Sequence, residues 1–271
     1  MMKFSIITIN YNNLEGLKRT YESVVSQTCQ DFEWIVIDGG STDGSKEFIE
    51  GHQDKFAYWC SEPDKGVYNA MNKGVVKARG EYLVFMNSGD SFYNADVLQK
   101  VKNLDSDKDI ISGLVYYEDD GTLMRWYHPN ILIQLYEDTV NHQGSFIKRY
   151  LFDNLKYDEN LKIVSDWKFF LEAIVKRGAS FEYSDIAVAK QERNGMSLNK
   201  SFKEIGDRER ELVLSEMFSP FMLNEIDLLD SYENCGAAQR ARQLYYQGGI
   251  ARFLTRVVMA ILYKMFKTDN K

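Results

Sequence analysis

The chain has 271 residues and a formal net charge of -7, with 44% hydrophobic and 27% charged residues. That balance suits a packed globular protein, excludes a disordered chain, and argues against a nucleic-acid partner, which requires a basic surface. Cys29, Cys60 and Cys235 are odd in number and far apart, with neither metal-ligand spacing nor a disulfide framework, so a reducing cytoplasmic compartment is expected.

No signal peptide is visible, and no segment is apolar for long enough to span a bilayer. Residues 4–9 read as a first strand that ends at Asn10 and Tyr11. Leu14, Leu17, Tyr21, Val24 and Val25 then fall at helical spacing. A second strand over 32–37 ends in Asp38-Gly39-Gly40-Ser41-Thr42-Asp43-Gly44-Ser45. Its paired glycines allow a tight turn, and Ser41, Thr42 or Asp43 can cap the helix through Phe48 and Ile49. Such a turn also brings backbone amides within reach of a phosphate. A short strand over 58–60 feeds Glu62-Pro63-Asp64-Lys65-Gly66 and an amphipathic helix from Val67 to Ala78. Gly80 closes that helix.

Tyr82 to Met86 is the next buried strand, and it runs into Asn87-Ser88-Gly89-Asp90. Strand and helix alternate over these first ninety residues, which is the signature of a mostly parallel sheet flanked by helices. Ligands in such sheets gather beyond the carboxyl ends of the strands, where Asp38, Asp64 and Asp90 stand. The plain structural alternative for each acid is a turn or a helix cap. Neither a GxGxxG nor a GxxxxGK[ST] stretch is present.

A helix is expected at Val97 to Val101 and a strand over 109–117. A turn at 118–121 then leads to a hairpin partner over 123–127. His142-Gln143 precedes a strand over 145–148. Ser165 reads as the cap of a further helix, with Asp166 in its first turn and Trp167 beside it. Strands follow over 181–183 and 186–189. From about residue 200 the pattern becomes helical and rich in Leu, Glu and Arg. The expected division is therefore a catalytic domain over 1–200 and a helical region over 201–271.

Taken in order, Ile7 to Asn12, Asp38 to Gly44, Asn87 to Asp90 and Ser165-Asp166-Trp167 resemble the successive motifs of inverting family-2 glycosyltransferases of the GT-A fold. The segment from Glu62 to Gly74 resembles a bacterial subgroup that assembles capsule, lipopolysaccharide or exopolysaccharide. The resemblance covers roughly the first two hundred residues. It implies an α/β fold with a Rossmann-like mixed sheet, a nucleotide-diphosphate sugar donor and a saccharide or lipid-linked acceptor.

By the same resemblance, Asn10, Tyr11, Asp38 and Asp64 contact the nucleotide, and Asn87 and Asp90 the ribose and diphosphate. Asp90 binds Mg2+ or Mn2+, and Asp166 is the general base. His142, Gln143 and Trp167 are candidates for contacting the acceptor or the diphosphate. The chain departs from the family pattern at Gly39, where an acid is usual, at Asn87 and Gly89 in the metal motif, and at Ser165 before the base. The alternative class is a non-catalytic nucleotide-sugar binding or scaffold protein on the same fold. A nucleotidyltransferase is disfavoured by the missing Gly- and Arg-rich N-terminal loop.

In residues 250–267, Arg252, Arg256, Lys264 and Lys267 share one side of a helical wheel, and the rest is almost wholly apolar. Such a helix suits the headgroup plane of an anionic membrane. The expected location is thus cytoplasmic, peripheral to the inner face of the plasma membrane. The alternative is packing of this face on the catalytic domain or on a second copy of the chain.

Overall fold

The computed structural model describes residues 2–124, 131–191 and 200–233. The expected hairpin residues 125–127, the loop at 193–197 and the amphipathic stretch 250–267 lie wholly outside the described residues. The chain divides into two compact units, Met1–Val213 and Leu214–Lys271.

The first unit is built on a mixed sheet with the strand order β3-β2-β1-β4-β8-β6-β9-β5. Its first half is parallel. β1 (Phe4–Asn10) lies between β2 (Phe32–Asp38) and β4 (Tyr82–Phe85), and β3 (Tyr58–Ser61) adds to β2. These strands are legible as apolar runs because both faces are covered; every residue of β1 and β4 is buried. Helices α1 (Leu14–Val25), α2 (Ser45–Gly51) and α3 (Val67–Lys77) supply the crossovers.

The register Asn10↔Asp38↔Ser61 aligns the carboxyl ends of β1, β2 and β3. β8 (Ser145–Lys148) then enters antiparallel to β4, with Leu83 opposite Ile147. The residues just before β8 therefore arrive at the same edge as the carboxyl end of β4. This reversal brings His142, in a 3-10 turn over His142–Gly144, to the strand ends of the first half.

β6 (Ile110–Tyr117) pairs antiparallel with β8 and parallel with β9 (Phe181–Gln191). Two expected strands are thus one long strand, which stays paired through register shifts around Gly113 and Leu114. β5 (Ser91–Phe92) is too short to show a sequence period and is pinned by β9. α4 (Val97–Asn103) follows it, and β7 (Thr122–Met124) pairs with β6.

α5 (Ile131–Glu137) and α6 (Ser165–Leu171) pack below the site, and α6 continues as one π turn over Glu172–Lys176. Trp167 Nε1 donates to Leu135 O at 2.6 Å and locks α6 to α5. α7 (Lys200–Met217) sends Glu209 to accept from the amides of Lys162, Ile163 and Val164 at 2.7, 3.0 and 3.3 Å. One carboxylate thus fixes the approach to α6. The expected Ser165 cap is not formed: Ser165 is the first helical residue, and its buried Oγ has no partner among the described residues. α8 (Pro220–Glu233) lies in the second unit. No helix among the described residues is long and apolar enough to cross a membrane.

Candidate active site

At the carboxyl end of β2, Asp38 is fully buried. Its Oδ1 accepts from Asn10 Nδ2 at 2.7 Å and Ser41 Oγ at 2.5 Å. Its Oδ2 accepts from Ser61 Oγ at 2.6 Å and from the amides of Ser41 and Gly40 at 2.9 and 3.2 Å. Burial pushes the carboxyl up, but bonds from Ser41, Ser61 and Asn10 outweigh it and hold the group below the usual carboxylate range. The amides expected to be open to a phosphate are therefore taken by Asp38. Asn10 is buried beside it, while Tyr11 is 67% exposed at the site mouth.

Asp64 accepts from Gly66 N at 2.8 Å. A methyl group placed on Gly39 would lie 2.6 Å from Asp64 Oδ2 and 3.1 Å from the Tyr11 ring. The structure thus gathers Tyr11, Gly39 and Asp64 at one spot. The space that a side chain at position 39 would fill holds the Asp64 carboxylate instead, brought from the next strand's loop.

The turn beyond β4 is held from α1. Thr20 is fully buried, and its Oγ1 lies 2.7 Å from Asp90 O and 3.2 Å from Asn87 O while accepting from Gly89 N at 3.1 Å. Asn13 Nδ2 donates to Ser88 O at 2.9 Å. Gly89 has φ +109°, a left-handed backbone that strains any residue with a Cβ. A glycine there lets the turn close tightly enough for Thr20 to reach both carbonyls. Sequence reading missed Thr20, because nothing in a buried helical threonine announces a contact 70 residues away.

Asp90 has a different environment. Burial raises its carboxyl to about 6, and the charge of His142, a side-chain bond from Gln143 and the Asn87 amide only partly oppose that. Asn87 Nδ2 lies 3.4 Å from His142 Nε2, and the buried Asn87 Oδ1 has no partner among the described residues. His142 Nδ1 lies 2.9 Å from Asp166 Oδ2. The other Asp166 oxygen faces Tyr68 OH at 3.1 Å, a hydroxyl that also lies 2.6 Å from Ile163 O. Burial pushes Asp166 up, but the bond and charge of His142, the Trp167 amide and Tyr68 hold it below the ordinary range. His142 moves the other way: burial lowers it, and Asp166 and Asp90 raise it above the ordinary imidazole value.

The structure therefore joins Asn87, His142 and Asp166 in one chain of contacts and sets Asp90 and Gln143 against it. It does not offer Trp167. That residue is 1% exposed, its indole N–H is spent on Leu135, and Arg210 lies 4.6 Å over its ring, so no face is open to a sugar. Tyr68 was missed in the sequence, where its helical spacing marks it only as core.

No group of three or more His, Cys, Asp or Glu side chains among the described residues is arranged to hold a metal ion. Asp90 supplies one carboxylate, kept short of donors and costly to ionise where it lies. That fits a hard cation whose remaining ligands are diphosphate oxygens and water rather than protein groups.

The sequence matches the family described as Glycosyl transferase family 2 over residues 5–178. It is 38% identical over 177 residues to a Mycobacterium tuberculosis protein named as an uncharacterized glycosyltransferase, across 62% of this chain and 68% of that one. It is 31% identical over 194 residues to a Mycobacterium bovis PGL/p-HBAD biosynthesis glycosyltransferase, across 69% of this chain and 75% of that one. The fold resembles residues 1–349 of S. aureus TarS in complex with UDP-GlcNAc, with TM-score 0.65 and 18% identity, covering 94% of this chain and 78% of that structure. Against the longer TarS chain the match spans 42% of that chain.

Proposed function

The chain belongs to glycosyl transferase family 2, and on that premise we propose that it moves a sugar from a nucleotide-diphosphate sugar to a hydroxyl of a saccharide or lipid-linked acceptor, with inversion. The observation that carries this reading is the contact of Asp166 with His142 at 2.9 Å, at the edge where the turn with Asn87 and Asp90 follows β4. A largely buried carboxylate, held ionised and bonded to the histidine that faces the strand end, suits a base beside a donor subsite.

The steps balance as a single displacement. Asp166 takes the proton of the acceptor hydroxyl. The oxygen forms its bond to the anomeric carbon on the face opposite the diphosphate, the old bond to the diphosphate oxygen breaks, and the nucleoside diphosphate leaves with that electron pair. Asp166 is ionised at neutral pH because His142 and Tyr68 offset its burial. Tyr11 and Asp64 would receive the base, with Asn10 and Asp38 bracing the strand ends behind them. Asn87 Oδ1, free of protein donors among the described residues, suits a ribose hydroxyl. Asp90 would hold Mg2+ or Mn2+, which when bound offsets the charge developing on the leaving diphosphate. Gln143 keeps the Asp90 side chain in place.

Screening nucleotide sugars for protection against thermal unfolding identifies the donor. With that donor, Asp166→Asn should lower transfer by about 10²–10⁴-fold, the usual worth of a positioned base, while leaving donor affinity near that of the wild type. Transfer within a few-fold of wild type would remove Asp166 from this role. Donor binding without transfer or donor hydrolysis by the wild type would instead favour the binding or scaffold protein.

The charge pattern of 250–267 supports docking on anionic lipid at the inner membrane face, near a lipid-linked acceptor. The full chain should sediment with anionic vesicles at low salt, and a chain truncated after Gly249 should not. Equal behaviour of the two forms would assign that face to protein packing, within the chain or in a dimer.

A further inference from the structure

We infer that His142 is the positioning residue of the base: its Nδ1–H holds the Asp166 carboxylate in place, and its Nε2 ties that carboxylate to the donor-side strand end through Asn87. The inference rests on the reading of Asp166 as base and adds a partner that the strand-end acids alone do not reveal.

The geometry is built rather than incidental. Asn141 accepts from Gln143 N at 3.0 Å through its side chain, and Ser145 Oγ donates to Asn141 O at 2.7 Å. These bonds fix the short turn that carries His142. The antiparallel entry of β8 aims that turn at β4. The two side chains are 18% and 14% exposed, so neither partner is free to swing into solvent.

The partners also set the proton positions. An imidazole nitrogen facing a carboxylate carries the proton, so Nδ1 donates to Asp166. In the neutral ring Nε2 is then an acceptor, which suits the Asn87 amide nitrogen at 3.4 Å. When the ring is charged, Nε2 becomes a donor. A half-turn of the Asn87 amide would then present its unpartnered Oδ1 instead. Both protonation states of His142 therefore leave the bond to Asp166 intact.

The groups facing this pair are few. Tyr68 from α3 bonds Asp166, Arg210 acts on it through charge, and the Asp166 charge in turn keeps Tyr157 protonated. Asp90 acts on His142 from the β4 side. Among the described residues, His142 alone gives Asp166 both a hydrogen bond and a positive partner. Without it, the groups among the described residues that oppose burial are Tyr68, the Trp167 amide and the more distant Arg210, and the carboxyl should rise.

Two measurements test this on the full chain. The protein has three histidines, so His142 can be followed by nitrogen-detected NMR. It should show the Nδ1–H form when neutral, titrate above the ordinary imidazole value, and drop in Asp166→Asn. An unchanged titration in that variant would overturn the pairing, whether or not any transfer activity has been found. In turnover assays, His142→Ala should lower kcat by about 10–100-fold, as loss of an orienting partner does. Nucleoside diphosphate affinity should stay within about threefold, and the acid limb of the kcat profile should move to higher pH. His142→Asn, whose amide N–H can stand where Nδ1–H stood, should recover most of kcat. An unmoved acid limb, or an Asn variant no better than Ala, would overturn the role. So would a diphosphate affinity weakened tenfold or more with kcat unchanged, which would make His142 a donor ligand. If the wild type transfers no sugar, the proposed function fails, and the NMR result still decides the pairing.

Discussion

Asp38 and Asp90 both stand at carboxyl ends of strands in one sheet, and their surroundings push them in opposite directions. Asp38 is ringed by donors from Asn10, Ser41, Ser61 and two backbone amides, and its carboxyl is held low. Asp90 is half-buried, with the Gln143 side chain and the Asn87 backbone amide as bonded partners and the charges of His142 and Arg19 nearby, and desolvation still raises its carboxyl to about 6. A satisfied buried acid braces a fold. A desolvated acid with few donors is held uncharged unless protonation or a further cation relieves it. The end of β2 is thus the firmly bonded strand end, and the end of β4 the loosely bonded one.

The largest effect should come from breaking the satisfied side. Asp38→Asn turns one acceptor oxygen into a donor facing donors and removes the charge that strengthens the ring of bonds. It should cost about 3 kcal/mol of unfolding free energy at neutral pH, read from urea unfolding. The folded carboxyl is depressed, so its contribution exists above the unfolded value of about 4 and is lost as pH falls through the folded value. The gap between wild type and variant should therefore shrink in acid. A gap independent of pH would mean that the charge is not what stabilises the turn.

The same substitution at the other strand end should do the reverse. Asp90 is raised, so its neutral form is the one the fold tolerates, and stability is lost as pH rises through about 6. Asp90→Asn should stabilise the cation-free protein by about 2 kcal/mol at pH 7.5, with the gain vanishing below about pH 4. Destabilisation at pH 7.5 would show that Asp90 is satisfied after all. A smaller change sharpens the comparison. Ser61→Ala removes a single donor from Asp38 and should cost about 1 kcal/mol, and Asp38 should then titrate slightly higher.

The sequence made one of these two ends easier to read than the other. The strands β1 to β4 are legible because each is an apolar run closed by a turn, and the acids at their ends are legible because sheets of this class collect ligands there. Asp38, however, looks like a ligand residue in the sequence. In the structure it accepts from Ser41 and Ser61 as well, and Ser61 comes from a different strand. Asp166 reads alone in the sequence, whereas its partner His142 lies 24 residues earlier. That contact depends on β8 running antiparallel, and no local pattern encodes the direction of a strand paired at long range. Trp167 shows the converse: its place beside Asp166 makes it a candidate sugar platform, and burial under Arg210 withdraws it.

Asp90 is the strand-end acid expected to meet the donor's diphosphate. Calorimetry of a nucleoside diphosphate binding to the wild type and to Asp90→Ala, each with and without manganese, tests this directly. Manganese should tighten binding to the wild type, and Asp90→Ala should lose this gain while keeping most of the metal-free affinity. Manganese-independent binding to the wild type, or an equal manganese gain in both proteins, would contradict it.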